Sequence, residues 1–308
     1  MKAFVTGGAG FIGSHLVERL LADGKEVIAI DDLSTGDSNA LKKHMEKKGF
    51  AFHQLDVRNY ERVSSLLEGC DVVFHLAAQT SVEESVKDPL QTNSINVDGT
   101  LTMLQASVKR GVKRFVFSSS AAVYGKPSEL PLKETSPTRP ISPYGASKLA
   151  SEYYVKVFNH IHRLETVVLR LFNVYGPGQR MSPYAGVVLR FAEAIKKGEP
   201  LTIFGDGNQI RDFIHIDDCV NALILAMEER NANGQTINIG TGRRTTIIEL
   251  AQMLIWLSGK KELKPTFTAE KPGDIRESYA DITKAKEILA FEPRISLEEG
   301  LSGLLKSL

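Results

Sequence analysis

Three side chains carry the chemistry that this sequence offers: Ser120, Tyr144 and Lys148. Tyr144 and Lys148 stand at i and i+4 in Tyr144-Gly-Ala-Ser-Lys148. On a helix such a pair shares one face, about 5–6 Å apart at Cβ. A lysine ammonium beside a phenol favours the phenolate and lowers its pKa from about 10 toward neutral pH. A phenolate tuned in that way can take the proton of a secondary alcohol while hydride leaves the same carbon. Ser120 ends the run Ser118-Ser-Ser120 after an apolar stretch, and its hydroxyl can hydrogen-bond the same alcohol. A Tyr-x-x-x-Lys pair is common by itself, and on an amphipathic helix the lysine can simply face solvent. Catalysis needs a hydride acceptor close by.

The first thirty-two residues supply one. Lys2-Ala-Phe-Val-Thr6 reads as a buried strand and runs into Gly7-Gly-Ala-Gly-Phe-Ile-Gly13, with G-x-G-x-x-G from Gly8 to Gly13. Ile12, Leu16, Val17, Leu20 and Leu21 then recur at helical spacing up to Gly24. A second strand, Glu26 to Ile30, ends at Asp31, 18 residues past Gly13. Glycines allow the tight strand-to-helix turn and the close approach of a pyrophosphate, which the helix N-terminus holds. The Asp31 carboxylate can accept from a ribose 2′-hydroxyl and would repel a 2′-phosphate, which favours NAD over NADP. An ordinary glycine turn with a surface aspartate would have to produce strand, loop, helix and acid together by coincidence.

Those two constellations need a scaffold. Through about Phe172 strands alternate with helices, so the fold class is α/β, a Rossmann-type doubly wound parallel sheet. Further strands are expected at Ala51–Leu55, Asp71–Ala78, Lys113–Ser118 and Glu165–Leu171, with helices near Leu41–Lys48, from about Asn59, Asn96–Arg110 and Tyr144–His162. Five prolines between Gly125 and Pro143 predict an extended loop. Tyr144, Lys148, Glu152 and Lys156 fall on one stripe of the helix after it. Beyond Phe172, loops rich in Gly and Pro alternate with shorter elements, which reads as a smaller lobe over the strand ends. The expected division is 1–172 and 173–308, with a segment near 212–240 able to return to the first lobe.

Candidate cofactor contacts are Gly7, Gly10, Phe11, Ile12, Gly13, Asp31, Asp32, Asp56, Val57, Leu76, Ala77, Ala78 and Ser118, with Tyr144 and Lys148. Asp56 has a second reading, as the cap of the helix starting near Asn59. At 308 residues and a formal net charge of +1, nothing points to a nucleic-acid or membrane surface. No apolar run approaches the roughly 20 residues of a membrane span. The start of the chain goes directly into a strand the fold needs, and so does not read as a signal peptide. Cys70 and Cys219 lack metal-ligand spacing and read as small buried apolar residues in a reducing compartment. No metal is expected, and a cytoplasmic protein is.

The sequence resembles the extended short-chain dehydrogenase/reductase superfamily over nearly its whole length. Thr6-Gly-Gly-Ala-Gly-Phe-Ile-Gly13, His75-Leu-Ala-Ala78, Ser118-Ser-Ser-Ala-Ala-Val-Tyr-Gly125 and Tyr144-Gly-Ala-Ser-Lys148 carry the likeness. Asn173-Val-Tyr-Gly-Pro-Gly178, Ile203-Phe-Gly-Asp-Gly207, Arg211-Asp-Phe-Ile-His215 and Gly273-Asp-Ile-Arg276 place it nearest the UDP-glucose 4-epimerases. The resemblance implies an NAD-binding lobe, a small UDP-sugar lobe and a homodimer. It implies that Asn173 binds a phosphate oxygen, that Arg211 pairs with the diphosphate, and that Thr202 and Phe204 frame the uracil. Asp274 would hold a ribose hydroxyl, with Arg276 or Lys271 near the diphosphate. Ser120 and Tyr144 would touch the sugar, and Ser278 would line its pocket where sugar-restricted relatives carry a tyrosine. A serine there leaves room for an N-acetyl group. The homodimer would pair two helices across a two-fold axis through Leu101, Leu104, Val108, Leu149, Tyr153 and Val157.

Each of these has a plainer reading: Arg211 could pair with Asp212 or Asp217, and Asp274 could form a turn. Dehydratase and decarboxylase relatives carry acids after the serine, whereas this chain has Ala121-Ala122. That leaves hydride removal and return at C4 of UDP-glucose, UDP-galactose or UDP-N-acetylglucosamine. A UDP-glucuronate 4-epimerase is the nearest alternative and would need Arg180 and Ser81 at the carboxylate. A non-catalytic NAD-binding regulator should have lost Tyr144 or Lys148, and an NADPH-dependent reductase conflicts with Asp31.

Overall fold

The computed structural model describes residues 1–181, 185–270 and 275–308. Strands with no polar alternation need cover on both faces, and the first half of the chain provides it. It runs β1 (Lys2–Thr6), α1 (Phe11–Ala22), β2 (Glu26–Asp31), β3 (Phe50–Gln54), α2 (Tyr60–Leu66), β4 (Val72–His75), α3 (Val82–Lys87), α4 (Pro89–Asn93), α5 (Gly99–Lys109), β5 (Arg114–Ser120), α6 (Pro143–His162) and β6 (Glu165–Leu171). The second half adds β7 (Asn173–Tyr175), α7 (Val187–Lys197), β8 (Leu201–Phe204), β9 (Ile210–Arg211), β10 (Phe213–His215), α8 (Ile216–Glu228), β11 (Gln235–Ile239), β12 (Thr245–Thr246), α9 (Ile247–Ser258), β13 (Pro265–Thr268), β14 (Glu277–Ser278), α10 (Thr283–Leu289) and α11 (Leu297–Ser307).

Seven strands form one parallel sheet in the order β11-β6-β5-β4-β1-β2-β3. The order reverses between β1 and β4, and in open α/β sheets a ligand crevice lies at such a point. One face packs on Leu16, Val17 and Leu20 of α1 and on Cys219, Leu223 and Met227 of α8. The other packs on Val63 of α2, Met103 and Leu104 of α5 and Val155 of α6. A separate core joins Phe191 of α7, Leu254 of α9 and Leu301 of α11 over β8 and β10. Thus α8 and β11, inside the segment near 212–240, belong to the large sheet although β7 to β10 precede them.

Three local expectations change. Leu41–Lys48 forms no α-helix; a 3-10 turn over Ser38–His44 stands there, opened by Asp37, whose side chain accepts from the Asn39 amide. Only Leu41 and His44 of that turn are buried, too narrow a stripe to hold a longer helix. The helix expected from Asn96 begins as a π-turn over Ser94–Asp98 before α5. Asn59, not Asp56, caps α2, accepting from the Arg62 amide at 3.2 Å. Between Gly125 and Ser142 the proline-rich segment is extended, as expected, and bridges to Ala280 through Leu132. Among the described residues no helix is long and apolar enough to cross a membrane. Both cysteines are free and buried.

Candidate active site

The carboxyl ends of β1, β2, β4 and β5 open into a cleft of about 1240 Å³. Every candidate cofactor contact from Gly7 to Ser118 lines it, together with Ser120, Tyr144 and Lys148. Gly7 has φ +66°, and a Cβ there would lie 2.9 Å from the Ala77 amide nitrogen. A Cβ on Gly13 would lie 2.0 Å from the Gly7 carbonyl oxygen, so helix and turn can meet only through glycine. The N-cap of α1 is Gly10, and no side chain caps that end. Its first amides therefore remain available to an anion. Asp31 is buried, and its carboxylate accepts from the Ala9 amide at 3.0 Å and the Leu33 amide at 2.9 Å. Burial raises its pKa while those two bonds hold it down. Its carboxylate lines the cleft where a ribose diol could meet it. An uncapped helix end, a glycine turn and a carboxylate at the end of β2 fit a dinucleotide.

Asp32 is occupied locally, accepting from the Ser34 amide and hydroxyl. Asp56 lies in the cleft but is tied to Arg58, whose Nε donates to it at 3.0 Å. That pairing holds the carboxyl below its usual range.

At the other end of the cleft, Ser142 starts α6 by accepting from the Gly145 amide at 3.1 Å, with Pro143 in the first turn. Tyr144 is thereby held at the mouth of the helix, with the Ser120 side chain near enough to act on its phenol. Ser120 also accepts from the Ala122 amide at 3.1 Å. Lys148 is buried, donates through Nζ to the Ser118 carbonyl at 2.8 Å and sits 5.0 Å over the Phe117 ring. Desolvation pulls its pKa down to about 8, against the pull of Glu152. Burial pushes the Tyr144 phenol up, with the Ser120 contact opposing. Here the structure adds to the simple ammonium–phenol pair: the ammonium is engaged by a carbonyl of β5.

Several positioning contacts have no sequence signal. Thr6 Oγ1 accepts from the Leu76 and Ala77 amides, both at 3.1 Å, so its own proton goes to His75 Nδ1 at 2.8 Å. His75 Nε2 then donates to Thr100 Oγ1 at 3.1 Å, which donates to the Asn96 carbonyl at 2.5 Å. Burial keeps this imidazole neutral, its pKa pushed down to about 3. Asn96 accepts from the Gln79 amide at 2.7 Å and donates to Ser147 Oγ at 2.9 Å, and Ser147 donates to the Tyr144 carbonyl at 2.8 Å. The loop after β4 and the first turn of α6 are thus fixed to one side chain of the π-turn.

Apart from Arg180, the described second-half candidates lie outside the lining of that cleft, most of them on short strands. Asn173 Nδ2 donates to the Asp212 carbonyl at 3.0 Å. Thr202 is exposed on β8, and the Phe204 ring lies 5.6 Å from the Arg190 guanidinium. Arg211 and the buried Ser278 are register partners between β9 and β14. Arg211 donates through Nη1 to the Ile210 carbonyl at 2.8 Å, Asp212 accepts from the Thr241 and Gly242 amides, and Asp217 lies 3.5 Å from His215. Arg276 makes two bonds of 2.7 Å to Asp206 at the surface. Asp274 and Lys271 lie outside the described residues. Arg180 is 3.0 Å from Asp37, and Ser81 caps α3 by accepting from the Glu84 amide at 3.0 Å. Among the described residues no group of His, Cys, Asp or Glu converges as a metal site.

Comparison with known proteins gives this geometry a family. The model of the NAD dependent epimerase/dehydratase family matches residues 3–240. The UDP-glucose 4-epimerase of Mycolicibacterium smegmatis is 40% identical over 304 residues, covering 98% of this chain and 96% of that protein. A UDP-glucose 4-epimerase from Thermotoga maritima, solved with UDP-glucose, superposes with a TM-score of 0.95 at 41% identity, over 100% of this chain and 98% of that one. A UDP-N-acetylglucosamine 4-epimerase from Methanobrevibacter ruminantium, solved with UDP-N-acetylmuramic acid, gives 0.95 at 38% identity over 99% and 97%. The chain belongs to the NAD dependent epimerase/dehydratase family.

Proposed function

We infer that the protein is a UDP-sugar 4-epimerase that interconverts UDP-glucose and UDP-galactose. The observation that carries this reading is Ser120, Tyr144 and Lys148 lining the same cleft as an intact glycine cradle. Ala121 and Ala122 follow the serine, without the acid that elimination or decarboxylation would use. NAD, when bound, accepts hydride from C4 and returns it. Tyr144 takes the 4-hydroxyl proton and later gives one back, and Ser120 holds the oxygen concerned. Lys148 keeps positive charge near both the phenolate and the nicotinamide ribose. Asn173 and Arg211 are assigned to the diphosphate, Thr202 and Phe204 to the uracil, and Asp274 and Arg276 to the far side of the nucleotide. A firm grip on UDP with a loose grip on the hexose lets the keto sugar turn over between the two hydride steps.

Ser278 is buried beside Arg211 and takes far less room than a tyrosine, which supports acceptance of UDP-N-acetylglucosamine as well. A uronic acid substrate is disfavoured, because Arg180 is engaged by Asp37 and Glu84 lines the cleft. The working form is proposed to be a homodimer in the cytoplasm, with residues 1–172 binding cofactor and 173–308 binding the UDP-sugar. Tyr153, Val157 and Ile161 of α6 are exposed and supply an apolar stripe for a partner copy, whereas Leu104 is buried under the sheet. Light scattering that found only a 33.9 kDa monomer at micromolar concentration would remove the dimer from this reading.

The test of function is incubation of the purified protein with UDP-glucose, UDP-N-acetylglucosamine and UDP-glucuronate, without added NAD. C4 epimers of the first two should form, and NAD should be released on denaturation. Stoichiometric consumption of NADH, or release of NADP, would overturn the reading.

A further inference from the structure

Three consecutive residues at the end of β5 meet three successive turns of α6. Ser120 faces Tyr144, the Ser118 carbonyl accepts from Lys148, and Ser119 Oγ donates to Glu152 Oε1 at 2.5 Å. Arg170 stands directly across the β5–β6 ladder from Ser119. Its guanidinium grips the same carboxylate with two bonds, Nε to Oε1 at 2.9 Å and Nη2 to Oε2 at 2.7 Å. The remaining arm donates to Tyr124 Oη at 3.0 Å, which donates to Asn238 Oδ1 of β11 at 2.6 Å. Glu152 and Asn238 have no exposed surface, and Ser119 and Arg170 have 3% each.

Such a buried pair is not an economical way to hold a helix on a sheet. Well-packed apolar residues of similar volume often serve as well or better. What an apolar substitute would not supply is a directed carboxylate one helical turn behind Lys148.

We propose that Glu152, gripped by Arg170 and Ser119, is the positioning residue of the Ser120–Tyr144–Lys148 centre. It fixes β5 and α6 in the phase that brings both hydroxyls to one point, and it balances the charge behind the buried ammonium. The groups facing Lys148 are few: neutral His75 from β4, Tyr144 and Glu152 from its own helix, and Arg170 from β6 beyond Glu152. The π-turn before α5 contributes only the uncharged amide and carbonyl of Asn96 on that side. One turn further along α6, Lys156 is exposed and also acts on Glu152. Among the described residues, Glu152 is therefore the one anion that opposes the desolvation of Lys148. Its loss would leave Arg170 as an unbalanced cation, and the lysine would release its proton at lower pH.

The inference rests on the epimerase reading for its turnover readout, so the test includes one that does not. The titration of the Lys148 amine is followed by NMR of its side chain, assigned by its loss in Lys148→Met. In Glu152→Gln its midpoint should fall by about one pH unit, as loss of a nearby opposing charge predicts. Glu152→Asp keeps the charge and should keep the midpoint. Glu152→Gln with Arg170→Met removes both charges, and should return the midpoint to near the wild-type value while kcat stays low. On turnover, Glu152→Gln should lower kcat at least tenfold with KM changed less than threefold, and its alkaline limb should move to lower pH. A Glu152→Gln protein that keeps NAD, the midpoint and kcat within twofold of wild type overturns the proposal. If Glu152→Gln does not fold, the double variant decides: wild-type kcat there overturns the proposal too. Absence of epimerisation in the wild type with the midpoint shift intact would instead fault the substrate reading alone.

Discussion

The proposed chemistry end and the proposed UDP-sugar end of the site are built from different material. Tyr144, Lys148 and Glu152 ride on a helix of 20 residues pressed against a central strand, and Lys148 and Glu152 are buried. Arg211 and Ser278 stand on strands of two residues each, and Arg276 precedes the second of them at the surface. A long helix docked on a buried sheet fixes its side chains before any ligand arrives, through packing and hydrogen bonds. A two-residue ladder cannot do that alone, and leans on the core beneath it. The division matches an epimerase's needs. Proton and hydride steps demand fixed groups, while the sugar must be released, turned and caught again on its nucleotide tether.

If the two ends differ in this way, substitutions should separate them by size and kind of effect. The largest belongs to the phenol. Tyr144→Phe should lower kcat by about 10²–10⁴-fold, with UDP and NAD binding preserved in calorimetry. Retention of more than about a tenth of the rate would remove Tyr144 as the acid–base group. Lys148→Met should cost about 10²–10³-fold and also reduce the NAD recovered from the purified protein. Normal cofactor content with low kcat would confine Lys148 to the proton step.

At the UDP-sugar end the effects should be smaller and selective. Ser278→Tyr should reduce kcat/KM for UDP-N-acetylglucosamine by about tenfold or more and spare UDP-glucose, because overfilling a pocket discriminates by size. Equal losses on both sugars, or a wild type inactive on the N-acetyl sugar, would show that Ser278 does not gate the pocket. Arg276→Ala should raise KM by less than about threefold, since its guanidinium already serves an exposed pair with Asp206. A tenfold rise would mean that Arg276 leaves Asp206 for the diphosphate, and would blur the contrast between the two ends.

The same contrast explains what could be read in the sequence. The glycine turn, the acid at the end of β2 and the Tyr-x-x-x-Lys stripe were legible because strands and helices of five to twenty residues repeat their period several times. Two-residue strands such as β9, β12 and β14 have no period to detect, and only resemblance suggested residues there. The charged run after Leu41 looked helical because lysine favours helices, yet it offers too little apolar surface to dock one. Asn96, Thr100 and His75 escaped for another reason. Their partners lie on other elements, and nothing in a linear pattern says which buried polar groups will meet. Glu152 was visible on its stripe; Arg170 and Ser119, which give it meaning, were not.

The late arrival of β11 bears on how the chain can be synthesised. β6 receives its outer neighbour only after β7 to β10 and α8 have been made, and α1 receives α8 from the same late segment. An emerging chain halted after Leu171 would present β6 as an open edge and the apolar face of α1 without its cover. Such edges invite pairing with other chains. Completion of the sheet must therefore wait for Ile239 to clear the ribosome, and a chaperone that shields the nascent sheet would act in that interval. For the same reason, cutting the gene after Phe172 should yield two insoluble pieces, which a solubility assay of each would check.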